Sequence, residues 1–429
     1  MSAAQAGRRL RDDERGQAIV LLAIVMAGLL MMVGLAIDAG KLYVARRTMQ
    51  EAADAAAYGG AVVIYMGGTQ ADARAAAFLD AAKNGYAAGG DVTLTVNSAP
   101  TSGPYAGNAA YVEVIVQDRV RTFLVPAQSA LTLVRVRAVA GAAPASSSHA
   151  IMALQPTGND AFKMSGNGQV TVSGGGLFVN SNDVSSAAHL SGSASLTATY
   201  TRVVGGYQDS GPGNFVPLPT TGVPAEADPF AGVPNPPVGG LTERGFVKVT
   251  SSPWYLDPGI YDGIQVSSDA TVYFRPGFYI LRDKALQVSG NGQLLMDPAS
   301  PPSEGVLLFN TLGSYPSPGG DCDQIQFSGN GVISLRGLSA AQSAQYKGMV
   351  VFQDRNCEKD MQISGNSTWA ATGTIYLPSA GFASSGNGTI NSTAAQLVAQ
   401  TVQVSGNAAF DLTYNAGLTA APLIPALSE

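Results

Sequence analysis

The sequence predicts a membrane-anchored chain in two parts: a transmembrane helix continuing into a small α+β domain, followed by an all-β, right-handed parallel β-helix. Three observations predict it. Residues 18–37 carry no charge; Ala-rich helical periodicity runs on past them into three β-rich runs; and from residue 159 onward a Ser-Gly-Asn motif keeps returning.

The apolar span, AIVLLAIVMAGLLMMVGLAI, is twenty residues long and lies between Arg15 and Asp38. At about 1.5 Å of rise per residue it covers about 30 Å, the depth of a hydrocarbon core, with its backbone amides satisfied inside the helix. A signal peptide has a shorter apolar region and a small-residue cleavage site after it, whereas here a charged helix follows, so a retained anchor is expected at 18–37. The tail 1–17 sets Arg8, Arg9, Arg11 and Arg15 against Asp12, Asp13 and Glu14, and Lys41, Arg46 and Arg47 follow the span. The tail's arginines and its shortness predict a single pass through the bacterial cytoplasmic membrane, N-terminus inside and the bulk of the chain extracytoplasmic.

Residues 38–143 form the first predicted domain. Leu42, Ala45, Met49, Ala52, Ala56 and Val63 recur at three- and four-residue steps, a narrow face of small residues that lets another element approach closely. A second helix is expected over 70–82, stopped by Asn84-Gly85, and strands over 92–96, 111–116 and 131–139, where Val112, Val114 and Val116 alternate. The order Arg-Gly-Gln, apolar span, Gly34-Leu35-Ala36-Ile37-Asp38-Ala39-Gly40, Arg46-Arg47 and Met49-Gln50-Glu51-Ala52-Ala53-Asp54 resembles the TadE/TadG-like proteins of the Tad (Flp) pilus machinery. Tyr111-Val112-Glu113-Val114 and Val136-Arg137-Ala138-Val139-Ala140 are similar to the sheet that closes that family's N-terminal, pilin-like domain. Leu21 stands where pilin precursors of this class carry Glu, counting from Gly16. The resemblance therefore implies an uncleaved, TadG-like accessory protein, with the membrane and other Tad pilus or secretion components as partners.

A linker is expected at 144–158 and the β-helix over 159–415, with a tail at 416–429. The repeat core is apolar-Gln-apolar-Ser-Gly-Asn, and its turn asparagines are Asn167, Asn291, Asn330, Asn366, Asn387 and Asn407. In each copy two inward apolar residues flank an outward one, a Gly turn follows, and a second strand leads off, as in Val332-Ile333-Ser334-Leu335. A third strand often opens with Gly, as in Gly348-Met349-Val350-Val351-Phe352, so each copy reads as one turn of a triangular coil, with Asn able to stack on Asn. The Pro-rich insertion 205–240 reads as an irregular surface excursion rather than a turn of the coil. This repeat region also resembles the C-terminal β-helical region attached to some TadG-like proteins.

Charged residues are only 13% of the chain and its net charge is −6, with no basic block past the tail, which argues against nucleic acid as a partner. Phosphate-loop, nucleophile-triad and zinc spacings are missing from the sequence, and its two histidines, His149 and His189, cannot by themselves make a catalytic or metal centre. No enzyme activity and no cofactor are expected. Asp321, Asp323, Asp354, Glu358 and Asp360, around the two cysteines, form a weak candidate for oxygen ligation of Ca²⁺, against the plainer reading of solvated loops. His189 is expected to be a simple surface residue, and Asp38 to do no more than end the span. Gln265, Gln287, Gln326, Gln362 and Gln403 are expected to form an exposed polar ladder, or else to meet sugar hydroxyls. Cys322 lies six residues before Ser328 and Cys357 seven before Ser364, in consecutive copies of the repeat, so a disulfide between neighbouring turns is expected. The functional expectation is a non-enzymatic envelope protein of Tad/Flp pilus assembly that displays a rigid β-helix. The alternative is an anchored β-helix that binds, adheres to or degrades cell-surface glycans.

Overall fold

The computed structural model describes residues 3–65, 68–123, 131–144, 149–393, 395–420 and 423–428, with backbone alone over 3–17, 142–144, 391–393 and 423–425. The side chains of the tail 1–17 and residues 145–148 of the expected linker lie outside the described residues. The chain divides into two units, Met1–Ala143 with Ile424–Glu429, and Pro144–Leu423.

In the first unit, one continuous helix, α1 (Ala3–Tyr65), contains the charge-free span. It is the one helix among the described residues long and apolar enough to cross a membrane, and none of its most apolar stretch is buried against protein. Past the span, Met49, Ala53, Ala56, Ala57 and Ala61 form its buried face and meet Ala73, Ala77 and Ala81 of α2 (Gln70–Lys83). The two helices come so close that a Cβ on Gly59 would lie 2.1 Å from an oxygen of Asp80, which explains why small residues dominate the contact. Thr69 and Asp72 close α2's first turn as a reciprocal capping box, and Asn84 caps its end. The helices cover an antiparallel sheet of β1 (Thr93–Asn97), β2 (Tyr111–Arg121) and β3 (Leu131–Pro144), with Val96 opposite Val114 and Val114 opposite Ala138.

A fourth strand, Leu423–Leu427, lies beside β3, and Ser428 donates its backbone N–H to Val139 O at 2.8 Å. The expected tail at 416–429 is thus corrected in part. A strand at a sheet margin tolerates the Pro425 that made the segment look like a loop.

The second unit is a parallel β-helix. One of its faces is a ten-stranded parallel sheet, and the strand order is the main surprise: 215–216, 195–197, 169–173, 409–413, 389–393, 368–369, 332–334, 293–296, 271–274, 254–256. The chain enters in the middle of the stack, winds outward to 221, crosses to the far end, and winds back until its last turn lies on its first. Val404 is in register with Met164, and Phe410 with Val170. Copies of one repeat present the same kind of backbone edge and the same apolar inward pattern, so one turn can stack on another out of chain order.

The crossing is made by residues 222–242, which span about nine strand spacings, on the order of 40 Å. The sequence reading of 205–240 as a surface excursion is therefore corrected. Within it, residues 207–210, 215–216 and 220–221 are strands of the coil, and the remainder is a strap seated on it. The face under the strap has apolar residues pointing outward, and register links Phe178, Met152, Val398 and Tyr376 across successive turns. Phe230 and Val233 of the strap close over this column as a second core outside the coil, both fully buried. This explains why strands such as Gly373–Leu377 and Met349–Gln353 are buried at every position while the Ser-Gly-Asn face alternates.

Candidate functional site

At the exit of the charge-free span, Asp38 is fully buried and accepts the backbone N–H of Phe123 at 2.8 and 3.1 Å. Lys41 sits one turn on, its Nζ 4.2 Å from the Phe123 ring centroid. Asp38 therefore does more than end the span: it fastens the chain after β2 to the helix. Its partner lies 85 residues away in sequence, so spacing gave no signal.

Glu113 and Arg137, both within the sheet motifs, meet across β2 and β3 with Arg137 Nε 2.6 Å from Glu113 Oε1. Asn97 Nδ2, Thr101 N and Thr101 Oγ1 donate to the other oxygen at 2.7, 3.1 and 2.8 Å. Burial disfavours the carboxylate, but these donors outweigh it and bring the pKa of Glu113 down to about 2.

The five acids weighed for Ca²⁺ have different surroundings. Among the described residues no group of three or more His, Cys, Asp or Glu side chains is placed to hold a metal ion. Asp354 Oδ2 accepts from Asn235 Nδ2 of the strap at 2.9 Å and from Thr311 Oγ1 at 2.7 Å. Asp360 accepts from Gly381 N, and Asp323 from Gln324 N and Gln287 Nε2. Asp321, Asp323 and Glu358 line an open depression with Lys359 and Cys322. Several of the carboxylates in this cluster answer backbone amides and side-chain donors. Cys322 and Cys357 are bonded, their Cα atoms 5.9 Å apart. Gln326 and Gln362, from the two copies that flank them, are in register.

Arg355, beside Asp354, donates to the strap carbonyls of Val233, Phe230 and Ala231 at 2.9, 2.9 and 3.0 Å, and Tyr376 Oη donates to Asp228 Oδ2 at 2.6 Å. Burial raises the Tyr376 pKa, and the nearby Asp228 adds to it, so the phenol stays a donor. The charged cluster around the cysteines is thus largely a clasp for the strap.

The six turn asparagines lie on one ladder. Asn167 donates to Asn407, Asn407 to Asn387, Asn387 to Asn366, Asn366 to Asn330 and Asn330 to Asn291, each between 2.9 and 3.1 Å, and Asn291 ends the run on Asp269 Oδ1. The turn itself needs glycine: Gly365 has φ +81°, and a Cβ there would lie 2.5 Å from Gly329 O. The outward glutamines occupy one column, Gln265, Gln287, Gln326 and Gln362 in register, with Gln403, Lys163, His189 and Gln208 continuing it beyond Ala383.

His189 is not a simple surface residue. Its Nδ1 is 2.8 Å from Asp160 Oδ1 and its Nε2 3.1 Å from Ser210 Oγ, while Lys163 Nζ holds the other Asp160 oxygen at 2.6 Å. Burial opposes the Asp160 charge, but Lys163 and His189 keep its pKa lowered. The group ties three successive turns together through the outward column.

The described chain therefore combines a helix long and apolar enough to cross a membrane, an α+β domain packed on that helix's second half, and a parallel β-helix. A family model described as Tad, Flp pilus-assembly TadE/G-like, matches residues 16–63, the stretch that holds the span, Asp38 and the Ala face of α1. The N-terminal stretch is thus similar to the Tad domain of TadE/G-like proteins, and the match supports a pilus-related role. No curated protein and no solved structure matches the chain.

Proposed function

We propose that the protein is a non-enzymatic, TadG-like accessory component of Tad/Flp pilus assembly, held in the cytoplasmic membrane by α1 with its N-terminus inside. Its β-helix is then displayed as a rigid surface outside the membrane. The observation that carries the reading is the TadE/G-like match on residues 16–63. Leu21, at the position where processed relatives of the resemblance carry Glu, supports an uncleaved anchor. The bond between Cys322 and Cys357 supports an oxidising compartment for the second unit.

The test is a pull-down of the full chain from native membranes. Recovery of pilus or secretion components supports the reading, and recovery of the protein alone overturns it. In the same cells, protease added to spheroplasts should digest the chain beyond Asp38, and mass spectrometry should find the residues before Gly16 retained. A protected β-helix reverses the orientation, and a lost tail makes the protein a processed subunit.

A further inference from the structure

The ten-stranded sheet has one inward column running its whole length: Phe215, Leu196, Val170, Phe410 and Ile390, then Trp369, Ile333, Leu294, Val272 and Trp254. At one end Phe215 is 2% exposed, covered with help from Tyr207, whose ring lies edge-on at 5.6 Å. At the other end Trp254 is 46% exposed, the open member of an otherwise buried column. Beside it Tyr255 is 45% exposed and stacked on Tyr273 at 5.1 Å. The two rings and Glu243, Arg244, Asp257 and Tyr261 line an open depression of about 270 Å³, a shallow cleft a little under the usual size for small-molecule sites.

We propose that this end of the coil is a binding site for a neutral glycan, with Trp254 as the platform for a pyranose ring. The π face of an indole is electron-rich and accepts the C–H groups of a sugar's apolar face, while the ring edge and neighbouring groups stay wet. The rim supplies what hydroxyls need. Arg275 Nη1 holds Asp257 Oδ1 at 2.6 Å, which fixes that carboxylate. Arg244 makes longer contacts, 3.6 Å to Asp257 Oδ2 and 3.4 Å to Pro258 O, which leaves geometry for a closer acceptor. Glu243 and Asp257 remain substantially open to water.

The same rim disfavours a second copy stacked end to end. That contact would desolvate Glu243, Arg244 and Asp257, whereas a glycan exchanges water for hydroxyls. This site does not depend on the pilus reading.

The test titrates the full chain, in a detergent without a sugar headgroup, with cellohexaose, laminarihexaose and chitohexaose. Trp369 is buried and is the other tryptophan, so ligand-dependent emission reports Trp254. The expected result is a saturable shift with at least one of the three, confirmed by calorimetry. Trp254→Ala should weaken it at least tenfold and Arg244→Ala severalfold, with the Trp369 emission unchanged in both. The proposal is overturned if all three oligosaccharides fail at 10 mM, or if Trp254→Ala binds as the wild type does. It also falls if a proline-rich decapeptide occupies the site instead, or if the wild type self-associates through Trp254.

Discussion

Asn167 donates its side-chain amide to Asn407 Oδ1 at 3.0 Å, although 240 residues separate them. This bond closes the chain's last turn of coil onto its first, and it implies that the β-helix has its entry and exit in the interior of the stack. If the stack followed chain order, the two residues would lie far apart. Asn167→Cys with Asn407→Cys should therefore form a second intramolecular disulfide under mild oxidation, since neighbouring strands sit about 4.8 Å apart, inside the span of the bond. Mass mapping checks it, and failure to cross-link would refute the strand order.

The strap makes this order possible, and its grip can be measured. Phe230 is fully buried, edge-on to Tyr376 at 5.1 Å. Phe230→Ala should destabilise the β-helix by about 3–4 kcal/mol, the usual cost of emptying such a site. Both tryptophans lie in this unit, so urea unfolding followed by their emission reads it directly. A change below about 1 kcal/mol would mean that the strap merely passes by.

The coil was legible in the sequence because its turns need particular chemistry. Gly329, Gly365 and Gly406 take positive φ where no side chain fits, and apolar residues two apart report the inward face. The order of the turns was not legible for the same reason: like edges let one copy stack on another out of chain order, and the information lies in Phe230 and Val233, two apolar residues among prolines. The partners of Asp38 and His189 were equally invisible, since Phe123 and Asp160 become neighbours only through long-range pairing. Spacing did mark the two cysteines, because both stand close before consecutive repeat serines.

Glu113 predicts an acid-sensitive first unit. Its pKa falls from 4.5 to about 2 on folding, so its stabilisation is complete above the unfolded value and is lost as pH drops through the folded one. The difference is worth about 3 kcal/mol. Glu113→Gln should lower the melting temperature of this unit at pH 7 and lose its disadvantage near pH 2. Helical circular dichroism follows it, because the helices among the described residues belong to this unit. A variant equal to wild type at pH 7 would show that the Arg137 contact contributes nothing net.

The bond between Cys322 and Cys357 makes the last prediction. It closes a segment with a sequence separation of 35, and the chain-entropy estimate for such a loop is about 4 kcal/mol, less any strain. Cys357 is fully buried, with Gln353 Nε2 on its carbonyl at 2.9 Å, so its half of the bridge is held whether or not the bond is present. Most of the stabilisation should therefore come from restricting the unfolded chain, and the double variant Cys322→Ser with Cys357→Ser should fold to the same β-helix. Its urea midpoint should fall by the amount seen on reducing the wild type, and reductant should leave the variant unmoved. Alkylation under denaturing conditions should modify neither cysteine before reduction and both after it. If both react at once in protein taken from the cell, the bond is not formed there, and the argument for an oxidising compartment goes with it.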